Sequence, residues 1–305
     1  MLSRGVLPRK TIAFCSLLVT FLSGCDPAES EKVPVDTFDL SEDASMRCNG
    51  HVELCSKRLN EVAFAATHNS MSNADAQWWA PNQQHGLSQQ MADGVRGMLL
   101  DSYDVDGELR LCHGFCELGS QLLSDGLGEI HTFLEDNPHE VMILFFQDGV
   151  GSEGMSKAFR TSGLAALAYT HRVGESFPTL GEMIEAGTRV LLASESDGPP
   201  PEWYHDGWAL FFDTPYSFKG IEDFSCTRYR GDDASPLFLL NHWISDPSGL
   251  PSSVAADEAN SYPVLTERAL RCAEEQGQIP NLIAVDFYAS GDLMAVVNSL
   301  NGVKN

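Results

Sequence analysis

The clearest deficit of the sequence is in positive charge. It carries 19 Lys and Arg residues against 43 Asp and Glu, a formal net charge of −24 at pH 7. A chain this acidic is repelled by phosphate backbones, because nucleic-acid binding relies on contacts from Lys and Arg. The composition therefore argues against DNA or RNA as a partner. Any anionic substrate must also be bound against an unfavourable long-range field.

Beyond residue 25 the sequence has no long hydrophobic run. A membrane-spanning helix needs about 18 or more consecutive apolar residues, so we expect nothing in the body of the chain to cross a bilayer. Hydrophobic residues nevertheless make up 43% of the 305 residues. That share is ordinary for a globular protein with a real core.

The first 25 residues have the pattern of an export signal. Three basic residues precede the short apolar stretch 11–21, which is followed by Leu22-Ser23-Gly24-Cys25. This apolar stretch is too short to span a membrane. Small residues before a cysteine resemble the bacterial lipobox, in which Cys25 would receive lipid and become the mature N-terminus. The alternative is an ordinary secretory signal with an incidental cysteine.

These features predict a lipoprotein signal peptide at 1–24, an acidic tether at 25–47 and a single folded domain at 48–305. The tether is rich in acidic residues and contains two prolines, as expected for a solvated linker. We expect an exported monomer, anchored in the bacterial cell envelope by acyl chains on Cys25.

Six further cysteines remain once Cys15 and Cys25 are assigned to the N-terminal segment. An even set in an oxidising compartment indicates disulfides. Proximity favours Cys48–Cys55 and Cys112–Cys116, and we pair the remaining Cys226 with Cys272. A zinc site is the alternative, but Cys112-x3-Cys116 has no second cysteine pair at a suitable distance.

Short apolar runs alternate with helical stretches along the domain. The runs are continuous, as in strands that are buried on both faces. Their alternation with helices favours a parallel α/β architecture. The predicted strands are Glu61–Thr67, Met98–Tyr103, Val141–Gln147, Arg189–Ala193, Ala209–Asp213, Leu237–Asn241 and Leu282–Phe287, and the predicted helices are Ser120–Asp136, Met155–Ala168, Thr179–Ala186, Val254–Gln276 and Asp292–Leu300.

Polar residues follow nearly every predicted strand. A TIM-type barrel builds its active site at the carboxyl ends of its strands, whereas a doubly wound sheet concentrates chemistry at one switch point. The sequence therefore predicts a distorted TIM barrel, irregular because seven strands are evident rather than eight. The strand-end residues include His68, Asn69, Asp101, Gln147, Asp148, Glu195, Asp213, His242 and Asp286.

Two histidines suggest acid–base chemistry. His68 ends the first strand, and His113 follows the next strand and loop, within Leu111-Cys112-His113-Gly114. A lone histidine is more often structural, but two from neighbouring barrel loops could divide the base and acid roles across a phosphorus–oxygen bond.

Four ordered motifs resemble the phosphatidylinositol-specific phospholipase C X-domain superfamily, and within it the secreted phospholipase-C-like phosphodiesterases of plants and fungi. They are THNS at 67–70, GVRGMLLDSYDVDGELRLCHGFC at 94–116, FLEDNPHEVMILFFQD at 133–148 and NLIAVDFY at 281–288. The resemblance implies a distorted TIM barrel that cleaves phosphoinositide-like or related alcohol phosphodiesters, lipid or soluble, by intramolecular attack. His68 matches the general base and His113 the general acid.

Asp286 is expected to fix the tautomer of His68. The alternative role for Asp286 is that of a helix N-terminal residue. Arg96 is a candidate phosphate ligand, although its place before a strand also suits a structural ion pair.

The resemblance also implies a divalent cation, with departures. Asn69 and Asp101 match calcium ligands of the metal-dependent branch. Leu99 stands where those relatives carry another acid, and Gln147 stands where they carry Glu. The metal-independent branch has an Arg at the position of Asp101. We expect a weaker Ca²⁺ site made by Asn69, Asp101 and Asp148, and a substrate contact from Gln147.

Two other functions remain open. A glycerophosphodiester phosphodiesterase shares this fold, but it usually has His-Arg-Gly where this chain has His68-Asn69-Ser70. A catalytically weak surface lipoprotein that binds a phosphorylated ligand is favoured by Leu99 and Gln147, and it is disfavoured by the presence of both histidines. Trp78-Trp79 lies in a loop, where it could contact lipid or pack beneath the loop.

The lipobox-like stretch predicts that the mature protein begins with lipidated Cys25. Mass spectrometry of the N-terminal peptide from the native host measures this directly. An unmodified N-terminus at any other residue contradicts the prediction.

Overall fold

A computed structural model describes residues 46–172 and 174–304. The predicted signal peptide, Cys25 and nearly all of the tether lie outside these residues. The strands are β1 Phe64–Thr67, β2 Gly97–Val105, β3 Glu108–Cys112, β4 Ser120–Leu122, β5 Met142–Gly149, β6 Val190–Ser194, β7 Tyr204–Asp206, β8 Phe211–Asp213, β9 Leu237–His242 and β10 Leu282–Val285. The helices are α1 Leu87–Ala92, α2 Leu123–Asp136, α3 Ser152–Ser162, α4 Leu180–Glu185, α5 Gly207–Leu210, α6 Ser253–Ala259, α7 Tyr262–Gln276 and α8 Leu293–Asn301.

Eight strands form a curled parallel sheet in the order β7-β6-β5-β2-β1-β10-β9-β8. Every neighbouring pair along this path is parallel. In the part of the chain that the structure describes, no ladder joins β7 to β8, so the barrel is open at that seam. The fold is thus a distorted, single-domain TIM-type barrel, as predicted.

All seven predicted strands are present, and the eighth is β7. It consists of only Tyr204, His205 and Asp206, too short and too polar to show a hydrophobic run. The antiparallel pair β3–β4, which extends β2 beyond the barrel, was also missed. The predicted helix 254–276 is two helices, α6 and α7, and α7 begins around Pro263, which suits a first turn.

Alternate residues of each strand face different layers. Phe64 and Ala66 of β1 lie in a cluster that fills the barrel interior, whereas Ala63 and Ala65 pack towards the outer helices. The same alternation places Phe145 inside and Phe146 outside. Because side-chain direction has a period of two, each strand's alternation continues to its carboxyl end and decides which polar residues face the barrel mouth.

The structure contains the three predicted disulfides, Cys48–Cys55, Cys112–Cys116 and Cys226–Cys272. The third joins α7 to the long connection 214–236 between β8 and β9. None of the described helices is both long and apolar enough to cross a membrane.

The Cys226–Cys272 disulfide is expected to contribute most to stability, because it closes the longest loop. Its cysteines are 46 residues apart, against 7 for Cys48–Cys55. In the chain-entropy treatment these separations correspond to about 4 and about 2 kcal/mol. Urea unfolding of Cys226→Ser/Cys272→Ser and of Cys48→Ser/Cys55→Ser compares them. An equal or larger loss for the short loop contradicts the expectation.

Candidate active site

His68 and Asp286 are brought together by the pairing of the first and last strands. β1 and β10 are parallel with Thr67 opposite Val285, so the next residue of each strand projects into the same mouth. The Nδ1 atom of His68 lies 2.8 Å from Asp286 Oδ1. Asn82 donates a hydrogen bond of 3.0 Å to the same carboxylate oxygen. A carboxylate at Nδ1 holds the proton there and leaves Nε2 as an acceptor.

The imidazole of His68 is also held from one face. Trp243, just beyond β9, stacks on it with 3.8 Å between ring centroids and an interplanar angle of 3°. The stack fixes the plane of the ring. No sequence motif pointed to Trp243, which follows His242 at a strand end.

His113 reaches the same pocket from outside the barrel. It follows β3, and the Cys112–Cys116 disulfide closes the turn that carries it. Its ring centroid lies 6.4 Å from that of His68, with the two rings at 70°. Loss of hydration and then Coulombic repulsion from His68 lower the pKa of His113, and Asp286 opposes this shift. The neutral ring is thereby favoured.

The two histidines line a cavity of about 500 Å³. This volume lies within the range of ordinary small-ligand sites. The predicted residues Asn69, Asp101 and Gln147 line it as well. Gln147 is exposed and its amide donates to the Tyr103 hydroxyl at 3.3 Å.

Asp101 is a buried carboxyl group on the pocket wall. Burial raises its pKa to about 7, assisted by Glu195 and opposed by His68. Among the described residues, no hydrogen-bond donor engages its carboxylate. Glu195 faces the same cavity from the end of β6, and burial raises its pKa too, against the opposing effect of Arg230.

Asp148 does not join the predicted calcium set. The β2–β5 register places Gln147 opposite Asp101 and Asp148 opposite Ser102, so Asp148 points away from the barrel interior. Its carboxylate accepts hydrogen bonds from the Tyr204 hydroxyl at 2.9 Å and from two backbone amides. No cluster of three or more His, Cys, Asp and Glu suited to a metal occurs within 46–172 and 174–304.

Asn69, the first of the predicted metal ligands, lines the same cavity. It follows His68 with a left-handed φ of 46° and is 3% exposed. Its amide nitrogen donates to Asn82 at 3.3 Å, which leaves the carbonyl oxygen for another partner.

Arg96 is not a substrate ligand in this structure. It precedes β2, at the opposite end of the barrel from the mouth. Its Nε donates to Glu140 at 2.6 Å, Nη1 donates to two backbone carbonyls, and its guanidinium lies over Phe133. The structural ion pair is therefore the correct interpretation.

Arg230 supplies the positive charge of the pocket instead. No other Lys or Arg lines the described part of the cavity. Its guanidinium binds Asp213 at 2.6 Å and Glu195 at 3.1 Å, and it lies 4.1 Å from the Trp208 ring centroid. Gly231 makes this turn possible, because its φ is +85° and a Cβ there would collide with a backbone carbonyl. A single Arg in a long connection carries no sequence signal.

A model of the PI-PLC X family matches residues 54–301. An uncharacterized secreted protein of Arthroderma benhamiae is 26% identical over 285 residues, covering 84% of this chain and 64% of that protein. A PI-PLC X domain-containing protein of Arabidopsis thaliana is 27% identical over 303 residues, covering 90% and 68%. The chain thus spans less than two thirds of the length of the first relative.

Solved structures give the same fold. The phosphatidylinositol-specific phospholipase C of Listeria monocytogenes superposes with a TM-score of 0.55 at 19% identity, covering 82% of this chain and 96% of that one. The Staphylococcus aureus enzyme gives 0.54 at 16% identity, covering 82% and 95%. At these identities the likeness shows the fold alone.

The raised pKa of Asp101 makes stability depend on pH. The unfolded carboxyl ionises near pH 4, whereas the folded one keeps its proton up to about pH 7. Stability is therefore lost as pH rises between these values. Without divalent ions, the free energy of unfolding of Asp101→Asn should exceed that of wild type by up to about 4 kcal/mol at pH 8. At pH 4 the two proteins should unfold at the same denaturant concentration. The exposed control Asp257→Asn should change little at either pH.

Proposed function

The chain belongs to the PI-PLC X family, and we propose that it cleaves phosphoinositide-like or related alcohol phosphodiesters with His68 and His113 as its acid–base pair. One observation carries this proposal: the two imidazoles line one cavity with their ring centroids 6.4 Å apart, and one of them is anchored to a buried carboxylate. That separation suits a phosphorus–oxygen bond between a base and an acid.

His68 is the proposed base. Asp286 holds the Nδ1 proton, so Nε2 can accept a proton from a substrate hydroxyl. The hydroxyl oxygen then attacks phosphorus and forms a cyclic phosphodiester. The developing imidazolium is stabilised by Asp286.

His113 is the proposed acid. As the bond from phosphorus to the leaving alcohol breaks, the leaving oxygen takes a proton from the His113 imidazolium. The substrate phosphate favours this protonated form on binding, and the lowered pKa of His113 favours release of the proton. One proton is accepted at His68 and one is released at His113.

Arg230 is proposed to orient the anionic or hydroxyl-rich part of the substrate. Two carboxylates and the Trp208 ring fix its guanidinium at the cavity wall. Three of its N–H groups bond to these carboxylates, and the remaining ones can donate to substrate.

We also propose that the site binds a divalent cation, and Ca²⁺ is favoured because it prefers oxygen ligands. Its ligand set differs from the one predicted from the sequence. The observation that supports a fit is the buried Asp101 carboxyl group, which has no hydrogen-bond donor among the described residues and lines the cavity together with Asn69 and Glu195. These three residues would hold the ion, and when bound it would offset negative charge on the phosphoryl oxygens. At pH values above 7, added calcium should then raise the denaturant midpoint of wild type and leave that of Asp101→Asn unchanged.

We infer that the protein is exported, in line with the secreted relative and with its disulfides. The lipid anchor on Cys25, the bacterial cell envelope as its location and the monomeric state stay predictions from the sequence. A membrane-held chain would meet phosphodiester lipids in the same surface.

A second candidate function is binding of a phosphorylated ligand without turnover. The position of Asp148 outside the cavity favours it, because the metal set expected from the sequence is not assembled. Turnover of any phosphodiester that depends on His68 and His113 excludes this alternative.

Substitution of either histidine should abolish most turnover. General acid–base catalysis is typically worth about 10²–10⁴-fold, so we expect kcat losses of that order in His68→Ala and His113→Ala. His131 on α2 and His139 after it lie away from the mouth and serve as controls. Steady-state kinetics on a panel of phosphodiesters, with and without chelator, measures the effect.

The two variants should differ in rescue. A leaving group of low pKa needs no proton donor, so it should restore much of the rate of His113→Ala but not of His68→Ala. Equal rescue of both variants would contradict the assigned base and acid roles. Wild-type activity in either variant would show that the two histidines do not form the catalytic site.

A further inference from the structure

The Asp286 carboxylate has a second hydrogen-bond donor besides His68. Asn82 Nδ2 lies 3.0 Å from Asp286 Oδ1, the same oxygen that lies 2.8 Å from His68 Nδ1. All three side chains line the cavity, yet Asn82 and Asp286 are only 1% and 3% exposed. Water therefore competes little for the bond between Asn82 and Asp286.

The orientation of the Asn82 amide is fixed by its neighbours. An ionised carboxylate can only accept hydrogen bonds, so the amide nitrogen must face Asp286. The amide oxygen then accepts from Asn69 Nδ2 at 3.3 Å. Asn82 Nδ2 also lies 3.4 Å from His68 Nδ1, but both nitrogens are donors when Nδ1 holds its proton towards Asp286. Two donors thus converge on one carboxylate oxygen.

The loop that carries Asn82 is tied to the ends of β1 and β10. The Asn82 carbonyl accepts from the Phe287 amide at 2.7 Å. The next residue, Gln83, is fully buried, and its amide nitrogen donates to the carbonyls of His68 at 2.7 Å and Val285 at 3.0 Å. The side chain of Gln83 thus bridges the ends of the two strands, and Asn82 cannot leave its place without breaking these bonds.

Asn82 supplies a restraint that the Asp286 carboxylate otherwise lacks. Among the described residues, donors reach only one of its oxygens, and one of the two donors is His68 itself. Trp243 fixes the plane of the His68 ring, but it does not contact the carboxylate through a hydrogen bond. Without Asn82 the carboxylate could rotate about its Cβ–Cγ bond and leave the Nδ1 proton without a fixed acceptor.

We propose that Asn82 is a positioning residue, which holds Asp286 Oδ1 against His68 so that the proton stays on Nδ1 and Nε2 faces the substrate. This inference rests on the proposed function, in which His68 Nε2 is the base. The amide nitrogen of Asn82 is engaged by Asp286 and its oxygen by Asn69, so Asn82 acts through these residues and not by contact with substrate.

Two substitutions at Asn82 test this role. Asn82→Ala and Asn82→Leu both remove the donor, and Leu keeps a similar volume. On a water-soluble phosphodiester, kcat should fall about tenfold or more in both, as for loss of a hydrogen bond to a charged group, and KM should change little.

The matched control is Asn260→Ala. Asn260 is also 1% exposed, and it donates to the backbone carbonyl of Asp286 at 2.9 Å instead of to the carboxylate. This variant should unfold at a lower urea concentration but keep a kcat near that of wild type. An equal loss of kcat in Asn260→Ala and Asn82→Ala would assign Asn82 a merely structural role and overturn the inference.

A double-mutant cycle shows whether Asn82 acts through Asp286. In an Asp286→Ala background the carboxylate is absent, so Asn82→Ala should cause no further loss of kcat. Equal losses in both backgrounds contradict the inference. A leaving group of low pKa should not rescue Asn82→Ala, because the defect concerns the base; rescue would connect Asn82 with the acid and would also overturn its proposed role.

Proton NMR of the full-length protein separates this inference from the proposed function. The His68 Nδ1 proton, identified by its loss in His68→Ala, should give a downfield signal in wild type because its bond to a carboxylate is strong. The signal should broaden through exchange with water in both Asn82 variants but not in Asn260→Ala. That change in a protein that cleaves no phosphodiester keeps the role of Asn82 and overturns the proposed function. An unchanged signal in both Asn82 variants overturns the role of Asn82, and turnover that depends on His68 would then still support the proposed function.

Discussion

The hydrogen bond between His68 and Asp286 depends on closure of the first strand against the last. The two residues are 218 positions apart, yet they follow paired positions of β1 and β10. The intervening chain must wind almost the whole barrel before the last strand can take that place. The imidazole is therefore oriented by the completed fold, and a local motif such as THNS supplies only the ring.

The alternation of side chains along the strands explains both the successes and one failure of the sequence-based prediction. The interior residues Phe64 and Ala66 are followed in the same phase by His68, and Ile143 and Phe145 by Gln147. Strand ends were recognisable as short apolar runs followed by polar residues, so the fold and most pocket residues could be predicted. The direction of the Asp148 side chain could not be predicted. A continuous apolar run that is buried on both faces does not reveal which of its residues point into the barrel.

The residue that supplies the positive charge of the pocket could not be predicted from the sequence either. Arg96 lies in a matching motif, but it satisfies Glu140 and two carbonyls at the far end of the barrel. Arg230 reaches the cavity from a connection without regular pattern, and its direction is set by Asp213, Glu195 and the turn at Gly231. Such contacts between distant segments are determined by packing in three dimensions, and neither periodicity nor local spacing reveals them.

The turn that carries His113 is closed by Cys112–Cys116, so closure of this turn depends on the redox state of the compartment. A disulfide of this kind forms where thiols are oxidised and stays open in a reducing cytoplasm. His68 and Asp286 lie outside this turn, whereas the proposed acid stands within it, next to a bond that needs an oxidising compartment. For the exported protein that we propose, the turn bearing His113 would close outside the cytoplasm, so the acid–base pair would be fully constrained only there.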